Sequence, residues 1–185
     1  MGDALDEPVR IVPYDPAWPE RFEDERRVLE EALAPWIVAG VHHIGSTAVP
    51  GLAAKPIVDV MVGVESLEAS LPARPAAEAV GYVWAPYRPE EFHWFCKPSP
   101  AHRTHHLILV PRDHPTFAAR LAFRDALRDD PALAAEYEAL KRRLAEAHVH
   151  DREAYTDGKA DFVVRMTRAA LAKQRARSEA ATTGL

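Results

Sequence analysis

The chain has 185 residues, 48% hydrophobic and 28% charged, with 16 prolines, 8 glycines, one cysteine and a formal net charge of -5. That length buries a core without covalent staples, and a single cysteine excludes an intrachain disulfide scaffold. The acidic balance argues against a nucleic-acid binder working through a basic surface, and no apolar run nears the roughly 18 residues that cross a bilayer.

Residues 1–8 are acidic and proline-capped and read as a flexible N-terminus. They lack the basic and apolar regions of a signal peptide, and Asp6 stands where a myristoylation motif wants Ser or Thr, so the expected setting is the cytoplasm. A short strand is expected over 9–12. Asp15 reads as a helix N-cap with Pro16 at the first helical position; Phe22, Leu29 and Leu33 share a face, and Pro35 ends the helix. A strand over 37–44 leads into Gly45-Ser46-Thr47 and a connection broken by Pro and Gly as far as Lys55. The next strand, 57–62, is β-branched and apolar except at Asp59, the pattern of a buried central strand. A helix over 66–80, weakened by Pro72 and Pro75, precedes three further strands at 82–84, 92–97 and 105–110.

From Asp113 the pattern turns helical. Asp113-His114-Pro115, Asp130-Pro131 and Asp151 each open a helix, with inner faces at Phe117/Leu121, Leu133/Tyr137/Leu140/Leu144 and Tyr155/Phe162/Met166. The small and polar residues of 173–185 read as a frayed tail. Without an internal repeat or a linker, 9–172 reads as a single α/β domain, strands first and helices behind.

A strand that ends in Gly45-Ser46 offers backbone N–H groups to an anion, and glycine lets the anion approach closely. About a dozen residues on, Asp59 is a lone carboxylate in an apolar strand, costly unless paired, hydrogen-bonded or bound to a cation. One reading is a phosphate cradle facing a metal-holding carboxylate. The other is an ordinary tight turn, with Asp59 capping a backbone group.

Gly45-Ser46 followed by Asp59 resembles the Gly-Ser and Asp-x-Asp motif of the nucleotidyltransferase superfamily. The block from His43 through Gly51-Leu52-Ala53-Ala54-Lys55-Pro56 to Asp59 is similar, more specifically, to the GrpB family. So are Tyr14-Asp15-Pro16-Ala17-Trp18, Arg103-Thr104-His105-His106-Leu107, Phe123-Arg124-Asp125, Tyr137, Lys141, Tyr155, Thr156 and Lys159. The resemblance implies a nucleotidyltransferase-like fold of the α/β (α+β) class: a mixed β-sheet flanked by helices, with a C-terminal helical segment. It implies less about reaction, because one fold hosts many activities.

Two departures bear on catalysis. Active nucleotidyltransferases hold divalent cations with carboxylates one residue apart, on one strand face; the second position here is Met61, and Mg²⁺ wants hard oxygen ligands. The position two after His106, often histidine in relatives, is Ile108. Asp59 and His106 therefore stand as the expected catalytic pair and as the expected ligands of a divalent cation (Mg²⁺, Mn²⁺ or Zn²⁺), with Mn²⁺ or Zn²⁺ better suited to a His/Asp set. Gly45, Ser46, Thr47, Lys55, Arg103, Lys141, Tyr155 and Lys159 are the expected contacts of a phosphorylated or acidic small ligand, with solvated helix faces and ordinary salt bridges as the alternative for the basic residues. Tyr155 and Lys159, four apart, share a helix face.

Whether the chain is an enzyme is left open, with ligand binding placed ahead of nucleotidyl transfer. The competing reading is a folding-accessory or partner-binding module, prompted by the fusion of this domain to dephospho-CoA kinase in some relatives. The chain lacks the Gly-x-x-x-x-Gly-Lys-Ser/Thr loop of such a kinase. No membrane or nucleic-acid partner is expected, and no protein partner is identified.

Overall fold

In the computed structural model, which describes residues 7–183, the apolar stretch around Asp59 becomes β2 (Val58–Val64), with a neighbouring strand on each side. β1 (Val41–Ile44) pairs with it antiparallel and β5 (Arg103–Pro111) parallel. β4 (His93–Pro98) and β3 (Val83–Trp84) extend the sheet antiparallel beyond β5, giving the order β1-β2-β5-β4-β3. The sheet is mixed and flanked by helices, as expected.

Strand alternation divides β2 between two layers. Val58, Val60, Val62 and Val64 join Leu107, Leu109 and Phe95 against Trp18, Phe22 and Leu29 of α1 (Trp18–Ala32) and Ala73 and Ala77 of α3 (Ala73–Ala79). Each large apolar side chain buried there contributes roughly 1.5–3 kcal/mol. On the other face Met61, Ile44, Phe92, Ile108 and Val110 lie under Phe117 and Leu121 of α4 (Pro115–Asp129). A third cluster ties the loop at Val49 and Leu52 to Leu127, to Tyr137 of α5 (Pro131–Ala147) and to Phe162 of α7 (Ala160–Thr183).

Several boundaries differ from the sequence pattern, each for a local reason. The stretch 9–12 makes only a bridge, Val12 to Ala54, because Val9 is drawn off to the Val149 carbonyl. Asp15 accepts from the Ala17 N–H at 2.9 Å, so it closes a turn ahead of α1 instead of capping it. The strand over 37–44 is regular only from Val41, since the Val38 and Ala39 N–H groups both donate to the Gly63 carbonyl. The 66–80 helix breaks at Pro72 into α2 (Leu67–Ser70) and α3. His114, not Asp113, caps α4, whereas Asp130 and Asp151 cap α5 and α6 (Arg152–Asp157) as expected.

The helix expected from Asp151 is split in two at Gly158. A Cβ there would stand 2.5 Å from Leu144 Cδ2, so a larger residue would have to push the Leu144 side chain aside. α7 runs on to Thr183, beyond residue 172, with every residue from Ala172 to Ala181 exposed. Residues 1–6 of the expected flexible N-terminus and residues 184–185 of the tail lie outside the described residues. No helix among the described residues is long and apolar enough to cross a membrane.

His43, 7% exposed, stacks on Phe22 with ring centroids 4.6 Å apart, and its Nε2 lies 3.0 Å from the Thr47 hydroxyl. Thr47 donates its one proton to the Ile57 carbonyl, so Nε2–H of His43 is the donor. Burial, with the Arg128 and Arg124 charges adding to it against the opposing pull of Asp59, lowers the imidazole to about 4. An unfolded His titrates near 6.5, so the unfolded chain binds the extra proton between those values and stability falls as pH drops through that window. Equilibrium denaturation should lose about 2 kcal/mol from this residue between pH 7.5 and 5, and His43→Gln should show a correspondingly shallower pH dependence.

Candidate functional site

β1 ends at Ile44, opposite Asp59, and the chain turns at Gly45 with φ +70°. A Cβ on residue 45 would fall 2.2 Å from Asp59 Oδ2. The glycine is therefore required twice, for its backbone angle and for the space the carboxylate occupies. Ser46–Ala48 follow as a single 3₁₀ turn, held from α4 by Arg124, which donates to the His43 carbonyl at 3.0 Å, and Arg128, which donates to the Ala48 carbonyl at 2.8 Å.

Asp59 pairs in register with His106 on the adjacent parallel strand, so both side chains rise from the same face. His106 Nδ1 lies 2.8 Å from Asp59 Oδ1; the two side chains are 17% and 32% exposed. Burial by itself would raise the Asp59 carboxyl, but the His106 hydrogen bond and the charges of His106, Lys55 and Arg120 outweigh it and hold the group below its ordinary range. The far nitrogen of the ring, Nε2, is buried without a hydrogen-bond partner. Trp94 packs beside the ring at 5.1 Å, and the Arg103 guanidinium lies 5.2 Å over Trp94.

The helical end closes the other side. Tyr155 of α6, fully buried, has Lys159 4.1 Å and Lys55 5.0 Å from its ring centroid. Lys141 of α5, 2% exposed, sits over the Tyr137 ring at 5.0 Å and donates to the Ala53 carbonyl, while Glu138 accepts from the Ala53 N–H at 2.9 Å. Tyr137 is hydrogen-bonded to Ser46, and burial pushes its hydroxyl up to about 12. Burial lowers the Lys159 ammonium to about 7, with Lys55, Lys141 and Arg120 adding repulsion that Asp59 only partly offsets. Burial likewise lowers Lys141 to about 7, Glu138 pulling the other way.

Gly45, Ser46, Lys55, Asp59, His106, Lys141, Tyr155 and Lys159 are thus linked by neighbouring contacts and charges. Thr47 lies in the same turn, but its hydroxyl faces inward, committed to His43 and Ile57. Arg103 stands at the rim behind Trp94, its Nε donating to the Pro100 carbonyl at 2.7 Å. His105 faces the opposite layer, 3.9 Å from Glu25 of α1. Sequence reasoning missed Arg120 and Tyr137 as site residues. Tyr137 stood on an apolar helix face and among the residues of the family resemblance without being assigned to the site, and Arg120 carried no signal. A groove of about 560 Å³ opens beside the same loop, lined by residues including Pro50, Leu52 and Pro131. Arg128 donates from Nε to the Ala48 carbonyl there, and Glu138 accepts from the Ala53 N–H.

The donor set does not fit a divalent cation. Asp59 Oδ1 and His106 Nδ1 use their facing atoms on each other, and Met61, next on that strand face, offers no hard oxygen. Lys55, Lys159 and Arg120 bring positive charge to the same carboxylate. Among the described residues no group of three or more His, Cys, Asp or Glu is arranged to hold a metal.

A model of the family described as GrpB protein matches residues 8–169. The chain belongs to the GrpB family. A UPF0157 protein of Pseudomonas aeruginosa is 39% identical, over 94% of this chain and 72% of its own length. The UPF0157 protein YqkA of Bacillus subtilis is 35% identical over 84% of this chain, which spans only 45% of that relative. The crystal structure of conserved protein GrpB from Enterococcus faecalis superposes with a TM-score of 0.81 at 36% identity, covering 89% of this chain and 99% of that one. A shorter stretch, 34% of the chain, is 42% identical to 16% of a dephospho-CoA kinase of Mycolicibacterium paratuberculosis.

The Gly45 turn is the least replaceable backbone feature of this GrpB-family pocket. Gly45→Ala should destabilise the fold by about 1–3 kcal/mol, read by urea denaturation. The His106 ring resonances should shift with it, because the added methyl displaces Asp59.

Proposed function

We propose that this chain binds a phosphorylated or otherwise acidic small ligand, with its anionic group between the Gly45-Ser46 turn, the Asp59–His106 pair and the lysines of the helical end. One observation carries this reading. Lys55, Lys159 and Arg120 act on Asp59 as their counter-charge, Lys141 lies near enough to repel Lys159, and the Lys141 and Lys159 ammonium groups are driven down to about 7. Like charges gathered at a cost in stability are the mark of a site built for an absent anion. Lys55 and Lys159, both over the Tyr155 ring, hold the anion, Arg120 of α4 adds its charge, and Ser46 supplies a hydroxyl. Lys141 fixes the Ala53 peptide two residues before Lys55, and Arg103 forms the rim.

Metal-dependent nucleotidyl transfer, the activity the superfamily resemblance implies, finds no support in the donor set. A protein-docking module is the second reading, favoured by the short match to a dephospho-CoA kinase. A stable complex with such a kinase on size exclusion, unaffected by phosphate, would favour it.

A thermal-shift panel of phosphate, pyrophosphate and nucleoside monophosphates tests the proposal. A ligand at 100 times its Kd raises stability by about 2.7 kcal/mol. Lys55→Gln and Lys159→Gln should each weaken the hit about tenfold, or 1.4 kcal/mol; unchanged affinity in both would end the reading.

The lysines also set a pH dependence. With folded values of about 7, both are mostly neutral at pH 8, and a bound anion favours their charged forms. Binding should therefore take up about one proton at pH 8 and weaken as pH rises above 7. Titration calorimetry in two buffers of different ionisation enthalpy measures both.

A further inference from the structure

We propose that the groove between the 49–52 loop and the junction of α4 and α5 binds a small carboxylic acid with an apolar body, its carboxylate on Arg128. This site is separate from the anion site above and does not depend on it.

The groove holds about 560 Å³, the size of a small-molecule site. Val49, Leu52 and Leu127, each buried, form its floor, and Pro50, Pro131 and Ala135 stand exposed along its walls. Gly51 also lines it, and a Cβ built there would meet nothing within 4 Å, so that side is open. Covering the floor with an apolar body removes that surface from water.

Two charged residues line the groove, and they differ in how they are answered. Glu138 is satisfied: Oε2 accepts from the Ala53 N–H at 2.9 Å, and Oε1 accepts from Arg142 Nε at 3.0 Å and Nη2 at 2.9 Å. Arg128 is only partly answered. Its Nε donates to the Ala48 carbonyl at 2.8 Å, which fixes the guanidinium, but among the described residues neither terminal nitrogen makes a hydrogen bond. Asp125 stands 3.8 Å from Nη1 and is already bonded by Arg124 Nε at 2.7 Å. Burial and the Arg124 charge oppose the Arg128 cation, and Asp125 and Tyr14 offset them only in part. A fixed guanidinium with spare donors pairs with a carboxylate in fork geometry. One cation with Asp125 and Glu138 close by answers a monoanion and leaves a phosphate dianion undercompensated.

A polypeptide would also need main-chain partners, and the groove has few. Pro50 and Pro131 have no N–H, while Val49 donates to the Ser46 carbonyl, Leu52 to that of Val49 and Ala134 to that of Asp130. A ligand with one charged end and an apolar remainder leaves no group of its own unpaired.

Calorimetry with octanoate, hexanoate, butanoate and 1-octanol tests this. Wild type should bind octanoate at least tenfold more tightly than 1-octanol, and affinity should rise about threefold per methylene from butanoate to octanoate. Saturating inorganic phosphate should leave octanoate affinity unchanged. Methyl ¹H–¹³C spectra should show saturating shifts at Val49, Leu52 and Leu127 and none at Val60 and Val62, which face the α1 layer. Ala135→Trp, at an exposed wall position, should melt like wild type and lose octanoate binding; the methyl spectra decide the site should that variant fail to fold.

No octanoate binding, equal affinity for octanoate and 1-octanol, displacement by phosphate, methyl shifts that spare the groove, or full binding by a folded Ala135→Trp protein would each overturn the inference. So would tighter binding of the peptide acetyl-Ala-Ala-Leu than of octanoate, which would assign the groove to a polypeptide C-terminus. Failure of every phosphate compound to bind would end the anion reading and leave this one standing.

Discussion

A carboxylate in the middle of an apolar strand has to be answered by a partner, and here the answer comes from strand register. β2 and β5 run parallel with Asp59 directly opposite His106, so the hydrogen bond between them is fixed by the sheet. Everything else at the pocket is arranged around that pair. Gly45 lacks a side chain because Asp59 Oδ2 fills the space, and Ser46 begins its turn where the glycine lets the chain bend. Two arginines of α4 hold the carbonyls on either side of that turn.

The helical end supplies charge where the sheet supplies geometry. Lys55, Lys141 and Lys159 each lie over a tyrosine ring, which gives the ammonium group some electrostatic compensation away from water. The compensation is incomplete, as the depressed values of Lys141 and Lys159 record. A protein optimised only for stability would place leucine or methionine at the fully buried position 141. Lysine there instead bonds the Ala53 carbonyl and keeps a cation close to Lys159.

The same pocket explains how the nucleotidyltransferase resemblance and the donor set part company. The Gly-Ser turn and the first carboxylate match the motif, but the second carboxylate position, Met61, is buried in the apolar cluster under α4. With that position given to packing, Asp59 bonds His106, and the pair uses its facing atoms on each other. Family membership and fold are secure on the match over residues 8–169 and the Enterococcus faecalis structure, and such a fold hosts many chemistries. What distinguishes this site is its charge, with Lys55, Lys159 and Arg120 acting on Asp59.

The sequence alone determined the local features. The apolar run broken by Asp59 had to be an inner strand, Asp130 and Asp151 had to cap helices, and Gly45-Ser46 had to turn, because backbone conformation and side-chain periodicity are short-range physics. The family resemblance added which residues belong to one site. Only the tertiary structure decided that Thr47 faces the core, that Arg120 and Tyr137 join the pocket, and that Asp59 meets an imidazole before it could meet a metal. Each of those outcomes depends on elements far apart in the chain being brought face to face. The ammonium values near 7 do as well, since burial and neighbouring charge exist only once α5, α6 and α7 have packed against the sheet.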